Sequence, residues 1–147
     1  MLMLLAAALP GCVLGPASPE SDEALLRKML DLAERHLGQE HPRTLILLNN
    51  LALSLENQGR YDEAEPLYVR ALEAQKWVLD EDHPDTLTTA NNLAGLYRRQ
   101  GCYGEFEPLY LRTLKASERV LGKDHPDTLD TVNNLALLHQ PLWTESP

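Results

Sequence analysis

The sequence repeats with a period of 42 residues, and this repetition limits the fold more than any other feature does. Two short motifs return in every period: His-Pro and, eight residues after the histidine, Asn-Asn-Leu-Ala. They begin at His41, His83 and His125 and at Asn49, Asn91 and Asn133. More than half of the positions in residues 41–82 are identical in residues 83–124. A period of about 20 to 50 residues is typical of solenoids, in which each unit is one supersecondary motif.

Within one period the pattern predicts two helices joined by a tight turn. Helix A begins at Pro42, since proline fits the first helical turn, and its apolar residues follow helical spacing: Leu45, Leu48, Leu51, Ala52 and Leu55. Gly59 ends helix A because glycine readily takes the left-handed conformation that follows a helix. Helix B begins near Asp62 and carries a second apolar stripe: Ala64, Leu67, Tyr68, Ala71 and Leu72.

Several of these residues resemble the tetratricopeptide signature, namely Asn-Leu-Ala, Gly59, Tyr61, Ala64, Tyr68, Ala71 and Leu72. The 42-residue period, His-Pro-Asp-Thr-Leu and Glu-Ala-Glu-Pro-Leu-Tyr are similar to the kinesin light chain subtype of this family. The resemblance covers roughly residues 20–140. It implies an all-α fold, a short right-handed α-solenoid of helix–turn–helix repeats, and a role in holding another protein.

The array is expected to be incomplete at both ends. The organisation predicted from the register is an apolar segment at 1–19, an orphan helix B at 20–40, repeat 1 at 41–82, repeat 2 at 83–124, a partial repeat 3 with helix A only at 125–140, and a tail at 141–147. A regular helix A before the orphan helix is disfavoured, because Pro10 would fall in its middle at a cost of about 3 kcal/mol. The last helix would leave Leu129, Val132, Leu135 and Leu138 uncovered unless the tail or another chain packs there.

Repeat 2 departs from repeat 1 at two positions of helix B. Phe106 stands where repeat 1 has the small Ala64, which predicts overpacking. Gly104 stands where repeat 1 has Asp62, which predicts the loss of a helix cap. Both changes would lower the stability of this repeat.

The N-terminal segment allows two interpretations. Residues 1–9 form an apolar run that is too short to span a bilayer as a helix. The following Pro10, Gly11 and Cys12 resemble a bacterial lipoprotein cleavage box, with Cys12 as the lipidated residue, but no Lys or Arg precedes the run. We therefore expect a cytoplasmic protein, with a mis-assigned start or a decayed helix at its beginning. The alternative is an exported or lipid-anchored protein.

Charge and composition disfavour other functional classes. The formal net charge is −9 and no basic run is present, which argues against nucleic acid as a partner. His41, His83 and His125 recur once per repeat; helix steps of about 8–10 Å separate them too far to share one zinc ion. We assign them to the inter-repeat turn and its capping. No nucleophile elbow or phosphate loop is present, so the sequence predicts no enzyme, metal, cofactor or small-molecule substrate.

The asparagine pairs are the main candidates for binding. The first of each pair is expected to face the inner, concave groove between successive A helices, and the second to bond within its own helix hairpin. A side-chain amide can pair with a peptide C=O and N–H together, and asparagines of this kind clamp an extended peptide in the kinesin light chain repeats that the sequence resembles. The alternative is that they pair with one another as a solvated ladder.

The predicted peptide-binding set is Asn49, Leu53, Glu56, Thr88, Asn91, Arg98, Arg99, Asn133 and Leu137. Helical spacing also puts Ile46, Asn57, Gly95, Asp130 and Gln140 on the inner face. Arg98 and Arg99 are expected to favour acidic ligand residues. The predicted function is that of an adaptor module binding a peptide segment of an unidentified protein partner. The alternative is a truncated structural array that self-associates through its exposed last helix, or that caps a larger assembly without a peptide ligand of its own.

Overall fold

The computed structural model describes residues 19–138, which form six α-helices joined by short turns. The helices are α1 (Pro19–His36), α2 (Pro42–Asn57), α3 (Tyr61–Val78), α4 (Pro84–Gln100), α5 (Tyr103–Val120) and α6 (Pro126–Leu138). In the register of the repeat, α2, α4 and α6 are A helices and α1, α3 and α5 are B helices. The predicted all-α solenoid is confirmed.

Each helix packs against the next one in the chain, and successive A helices also contact each other, α2 with α4 and α4 with α6. This is the contact pattern of a solenoid, in which a unit touches only its neighbours. None of the helices in the described part of the chain is both long and apolar enough to cross a bilayer.

Each A helix is capped by the histidine before its proline. Nδ1 of His41 accepts the backbone N–H of Arg43 at 3.2 Å, and the same bond recurs at His83 (3.1 Å) and His125 (3.2 Å). Each bond satisfies one of the donors that a helix N-terminus leaves unpaired. The assignment of the three histidines to the inter-repeat turn is therefore confirmed.

The turn from each B helix to the next A helix has the same backbone geometry in all three places. Gly38, Asp80 and Gly122, which stand 42 residues apart, have φ angles of 98°, 103° and 95°. A side-chain bond to the turn also recurs: Oγ1 of Thr44 donates to the carbonyl of Gly38, and Oγ1 of Thr86 to that of Asp80, each at 2.8 Å. Glycine adopts a positive φ freely, whereas aspartate does so at some cost.

The core lies between α2, α3 and α4 and consists mainly of leucine and alanine. Alanine side chains at the contact points let the helix backbones approach closely, while Tyr68 and Tyr110 are the largest fully buried side chains. The main cluster contains Leu48, Leu51, Ala52, Leu55, Ala64, Tyr68, Ala71, Leu72, Leu93 and Leu96.

The outer face of α6 is much more exposed than the same face of the preceding A helices. Leu45 in α2 is 0% exposed, whereas its equivalent Leu129 in α6 is 47% exposed. Leu48 is 1% exposed and its equivalent Val132 is 39% exposed. The cause is that, within residues 19–138, no B helix follows α6.

One prediction about capping is wrong, and several other predictions concern residues or side chains that the structure does not describe. Asp62 lies inside the first turn of α3, whose N-cap is Arg60 and makes no side-chain cap bond. Gly104, which stands at the position of Asp62 in repeat 2, therefore does not replace a cap residue. Several predictions lie outside the described residues or side chains: those on Pro10, Cys12, Phe106, Leu138, Gln140 and the tail.

Candidate functional site

One exposed stripe runs across the three A helices, and we call it the A-helix face. Its side chains recur every three or four residues, so they share one side of each helix. The residues are Ile46, Asn50, Leu53 and Asn57 on α2, Thr88, Asn92, Gly95 and Arg99 on α4, and Asp130, Asn134 and Leu137 on α6. All are exposed or half-buried, and the second asparagine of each pair lies at the middle of the stripe.

The first asparagine of each pair is turned toward the next A helix instead. Oδ1 of Asn49 accepts a hydrogen bond from Nδ2 of Asn92 at 3.3 Å, and Oδ1 of Asn91 accepts one from Oγ1 of Thr131 at 3.2 Å. Asn49 and Asn91 are half-buried, while Asn133, which has no following A helix among the described residues, is exposed. These bonds hold successive A helices in register.

Two expectations about orientation are therefore corrected. Asn92, a second asparagine, bonds across to the preceding repeat and not within its own hairpin. Of the asparagine pair in repeat 1, Asn50 is exposed and Asn49 is half-buried. The sequence already carried the signal: Ile46, Leu53 and Asn57, all assigned to the inner face, are spaced so that they share a helix side with Asn50.

Glu56 is not on the open face either. It is only 4% exposed, because its carboxylate points between three helices. The hydroxyl of Tyr68 in α3 donates to Oε2 at 2.8 Å, and Nε of Arg99 in α4 lies 3.2 Å from Oε1. Burial, and then the negative charge of Glu56, raise the pKa of Tyr68 well above its ordinary value. Glu56 thus joins repeat 1 to repeat 2 and is occupied within the protein.

In repeat 2 the equivalent of Glu56 is Arg98, and it faces the equivalent tyrosine. Burial raises the pKa of Tyr110 to about 12, and the nearby Arg98, which hydrogen-bonds the hydroxyl, opposes that rise. Arg98 is half-buried, whereas Arg99 remains exposed on the A-helix face even though it contacts Glu56. Of the two predicted arginines, Arg99 is the one accessible to a ligand.

An open depression of about 460 Å³ adjoins the A-helix face at its N-terminal end. It lies between α1 and α2, and Asp22 and Leu26 of α1 form one side of it. The other side consists of Asn50, Leu53, Ser54, Asn57 and Gln58. The contribution of α1 was missed from sequence because it depends on how the orphan helix packs.

The repeat, the helix order and the shared asparagine register together define a tetratricopeptide array. The family model for the tetratricopeptide repeat matches residues 23–76 and 43–105, and a second model of the same description matches residues 86–127. The chain therefore belongs to the tetratricopeptide repeat family.

Known proteins with similar repeats support the subtype. Human tetratricopeptide repeat protein 19, mitochondrial, is 32% identical over 79 residues, which is 52% of this chain and 21% of that protein. A solved structure described as Podosopora anserina kinesin light chain nearly identical TPR-like repeats has a TM-score of 0.75 and 25% identity, covering 81% of this chain and 56% of that one. BtubC (BKLC) from P. vanneervenii, at 21% identity and a TM-score of 0.74, shares the fold and covers 82% of this chain and 48% of its own. This chain thus spans about a fifth of the human relative and about half of the solved arrays.

Proposed function

We propose that the A-helix face binds an extended segment of a partner protein. The observation that carries the proposal is the row of amides at the middle of the A-helix face, one per repeat: Asn50, which is exposed, and Asn92 and Asn134, which are half-buried. Each amide offers a donor and an acceptor, which match the N–H and C=O of an extended backbone. Tetratricopeptide arrays typically serve as protein-interaction modules, and solenoids present extended binding surfaces of this kind.

The geometry favours an extended ligand over a helical one. Neighbouring packed helices are separated by about 8–10 Å, and an extended chain rises about 3.3 Å per residue. Successive amides would therefore meet the peptide about three residues apart. Exposed apolar side chains lie beside the amides, Leu53 and Ile46 on α2 and Leu137 on α6, and would receive ligand side chains.

The proposed set revises the residues expected from sequence. Leu53, Thr88, Arg99 and Leu137 are retained, and Asn50, Asn92 and Asn134 replace their neighbours because they lie on the A-helix face. Nδ2 of Asn92 already donates to Asn49, so Asn92 offers a ligand its Oδ1 and its second N–H. Glu56 is omitted since it is buried and paired. Arg99 provides the positive charge on this face.

A random-peptide display selection on the full chain tests the proposal. We expect the selected peptides to bind Asn50→Ala and Asn134→Ala variants about tenfold more weakly, which corresponds to about 1.4 kcal/mol and to the loss of one or two hydrogen bonds. Gln39→Ala is the matched control, since it removes an exposed amide from the turn before α2, away from the face. Failure to select any peptide, or equal binding by the asparagine variants, would contradict the proposal.

A second candidate function is head-to-tail assembly of copies of this chain. The exposed outer face of α6 is an A-helix surface of the type that α3 covers on α2. At the other end of the described residues, α1 exposes Leu25, Met29 and Leu32, and Met29 is 44% exposed where its equivalent Ala71 in α3 is buried. The α1 helix of one copy could therefore supply the B helix that packs on α6 of another, which is a heterologous contact.

Light scattering of the full chain across a range of concentrations distinguishes the two functions. Assembly predicts a mass that rises with concentration and that Val132→Glu or Met29→Glu abolishes, whereas Asn50→Ala leaves it unchanged. Trp77→Glu is the matched control, because Trp77 is exposed on α3 and away from both faces. A monomer at every concentration would remove this candidate and leave peptide binding unaffected.

A further inference from the structure

A cavity of about 230 Å³ lies between α3 and α5, over the first turns of α4. Its floor is apolar and is formed by Leu72, Leu87, Ala90, Leu109 and Ala116. Helical spacing puts Leu87 and Ala90 on the side of α4 opposite Asn92 and Gly95. The cavity is therefore separate from the A-helix face, and any role it has is independent of the function proposed for that face.

The cavity arises from residues that differ from their equivalents 42 positions earlier in the chain. Ala90 occupies the position at which repeat 1 has Leu48, a buried side chain of the core. Lys76, in repeat 1, occupies the position of Glu34 in the orphan helix α1, and Glu34 accepts a hydrogen bond from Arg70 at 2.7 Å that links α1 to α3. The equivalent arginine of repeat 2, Arg112, pairs instead with Glu81 in the turn before α4.

The rim of the cavity is basic, although the whole chain has a net charge of −9. Four cationic side chains line it, Lys76, Arg112, Lys115 and Arg119, against two acidic ones, Glu81 and Asp82. The arginines pair with Glu81 and Asp82, and among the described residues Lys76 and Lys115 have no ion-pair partner. Glu34 of the orphan helix and Glu73 of repeat 1 stand 42 residues before these two lysines, so the sign of the charge is inverted.

The volume indicates what kind of group fits. Small-molecule sites usually measure about 300–1,000 Å³, so this cavity is small for a whole ligand but sufficient for one bulky side chain. The cavity opens to solvent between polar residues of α3 and α5, so a bound peptide can continue on both sides of the side chain that enters it. Two ammonium groups without an ion-pair partner among the described residues, the half-buried Lys76 and the exposed Lys115, lie beside it and attract carboxylates.

We propose that this cavity is a second docking site, which takes a segment of a partner protein with one aliphatic side chain flanked by acidic residues. The aliphatic side chain enters the space that Leu48 fills in repeat 1, and the flanking carboxylates pair with Lys76 and Lys115. The protein thus carries two binding surfaces on opposite sides of α4, one lined by amides and one by cations.

An NMR titration of the isotopically labelled full chain tests this site, with the peptide acetyl-Glu-Asp-Leu-Asp-Glu-amide as the probe. We expect shifts of the backbone amide signals of Lys76, Leu87, Ala90 and Lys115. Affinity should fall at least about tenfold in Ala90→Leu, which fills the cavity with the residue of repeat 1, and in the double variant Lys76→Glu with Lys115→Glu. Replacing the leucine of the probe by alanine should have a similar effect.

The control is the double variant Lys28→Glu with Lys123→Glu, which makes the same change in net charge at exposed positions away from the cavity and should bind as the wild type does. Circular dichroism shows whether Ala90→Leu folds, and the lysine variant does not alter the core. The proposal is overturned if the wild type does not respond to the probe, if shifts are confined to the A-helix face, or if the cavity and lysine variants bind like the control.

Discussion

At the scale of single residues, the contact between repeats is concentrated in one buried carboxylate. Glu56 accepts a hydrogen bond from the hydroxyl of Tyr68 and forms an ion pair with the guanidinium of Arg99, so one side chain connects α2, α3 and α4. A buried charge is stable only while its partners remain, because an unpaired carboxylate loses its solvation without compensation. The sequence predicts Glu56 to lie on the binding surface, because helical spacing alone cannot distinguish the side of a helix that faces the groove from a side that faces a neighbouring helix.

We expect Arg99→Ala and Tyr68→Phe each to lower the free energy of unfolding by about 1–2 kcal/mol, since each leaves Glu56 with one partner fewer. Urea denaturation measures both, and combining either change with Glu56→Gln should give less than the sum of the single effects. Arg35→Ala is the control: its ion pair with Asp31 is exposed, so a change within about 0.5 kcal/mol is expected. Additive effects in the double variants would contradict the network.

Asp80 carries a second prediction at this scale. Its φ of 103° is shared with Gly38 and Gly122 at the equivalent positions, so the turn requires a conformation that glycine adopts without strain. Oδ1 of Asp80 accepts the N–H of Asp82 at 3.2 Å, which offsets part of the cost. We expect Asp80→Gly to raise stability by about 0.5–1 kcal/mol, measured as a higher midpoint of thermal unfolding. A lower midpoint would mean that the side-chain bond outweighs the strain.

At the scale of the helices, the sequence predicted type and order well, and capping only in part. His-Pro marked the start of each A helix, and the structure adds the reason, an imidazole nitrogen that accepts the backbone N–H of the second residue after the histidine. For the B helices, Asp62 suggested a cap, but α3 begins one residue earlier and Asp62 falls inside the turn. A cap depends on which residue leaves the helical conformation first, and the composition of the turn does not determine this.

Glu23 provides several of the polar contacts that join the orphan helix α1 to the array. Its carboxylate accepts hydrogen bonds from Arg27 at 2.9 Å, from Gln58 at 3.2 Å and from Arg60 at 2.7 Å. The bond from Arg27, then the bond from Gln58 and the positive charge of Arg60, hold the pKa of Glu23 below its ordinary value against the opposing effect of burial. A carboxylate with a lowered pKa in the folded state stabilises that state above its unfolded pKa, and this stabilisation is lost as pH falls through the folded pKa.

We expect Glu23→Gln to lower stability at pH 7 by about 1 kcal/mol, a figure limited by the exposure of both arginines. Between about pH 5.5 and pH 3, the variant should lose less stability than the wild type, because it no longer contains the group that becomes protonated. Urea unfolding at a series of pH values measures the difference. Parallel stability curves for the two proteins would show that Glu23 does not contribute to the acid dependence.

At the scale of the whole molecule, stability is expected to be uneven. In a solenoid each helix is stabilised mainly by its neighbours, and α2, α3 and α4 have covered faces while α6 has an exposed one. Amide hydrogen exchange on the native full chain should therefore be slowest in α2 to α4 and faster in α1 and α6. Equal protection of α6 and α2 would mean that its outer face is covered in solution.

The fold was predictable from the sequence because the period, the proline positions and the apolar stripes all indicated the same arrangement. The cavity beside Lys76 was not predictable, although each of its changes is visible when each unit is aligned with the unit before it. Ala90 for Leu48 resembles an ordinary core substitution, and Lys76 for Glu34 an ordinary surface one. Only packing shows that the two positions border the same space.

The identical turns at Gly38, Asp80 and Gly122 have a consequence for how such a gene changes length. Because the backbone passes through the same conformation at each of these points, a recombination that joins any one to the sequence after another preserves the phase of every helix. Thr44 and Thr86, whose hydroxyls bond to two of these turns, lie after the turn and would be part of the inserted segment. The array can therefore gain or lose whole repeats of 42 residues with the existing turn as the junction. An insertion or deletion of another length would shift the register of the helices that follow and turn their apolar stripes away from their neighbours.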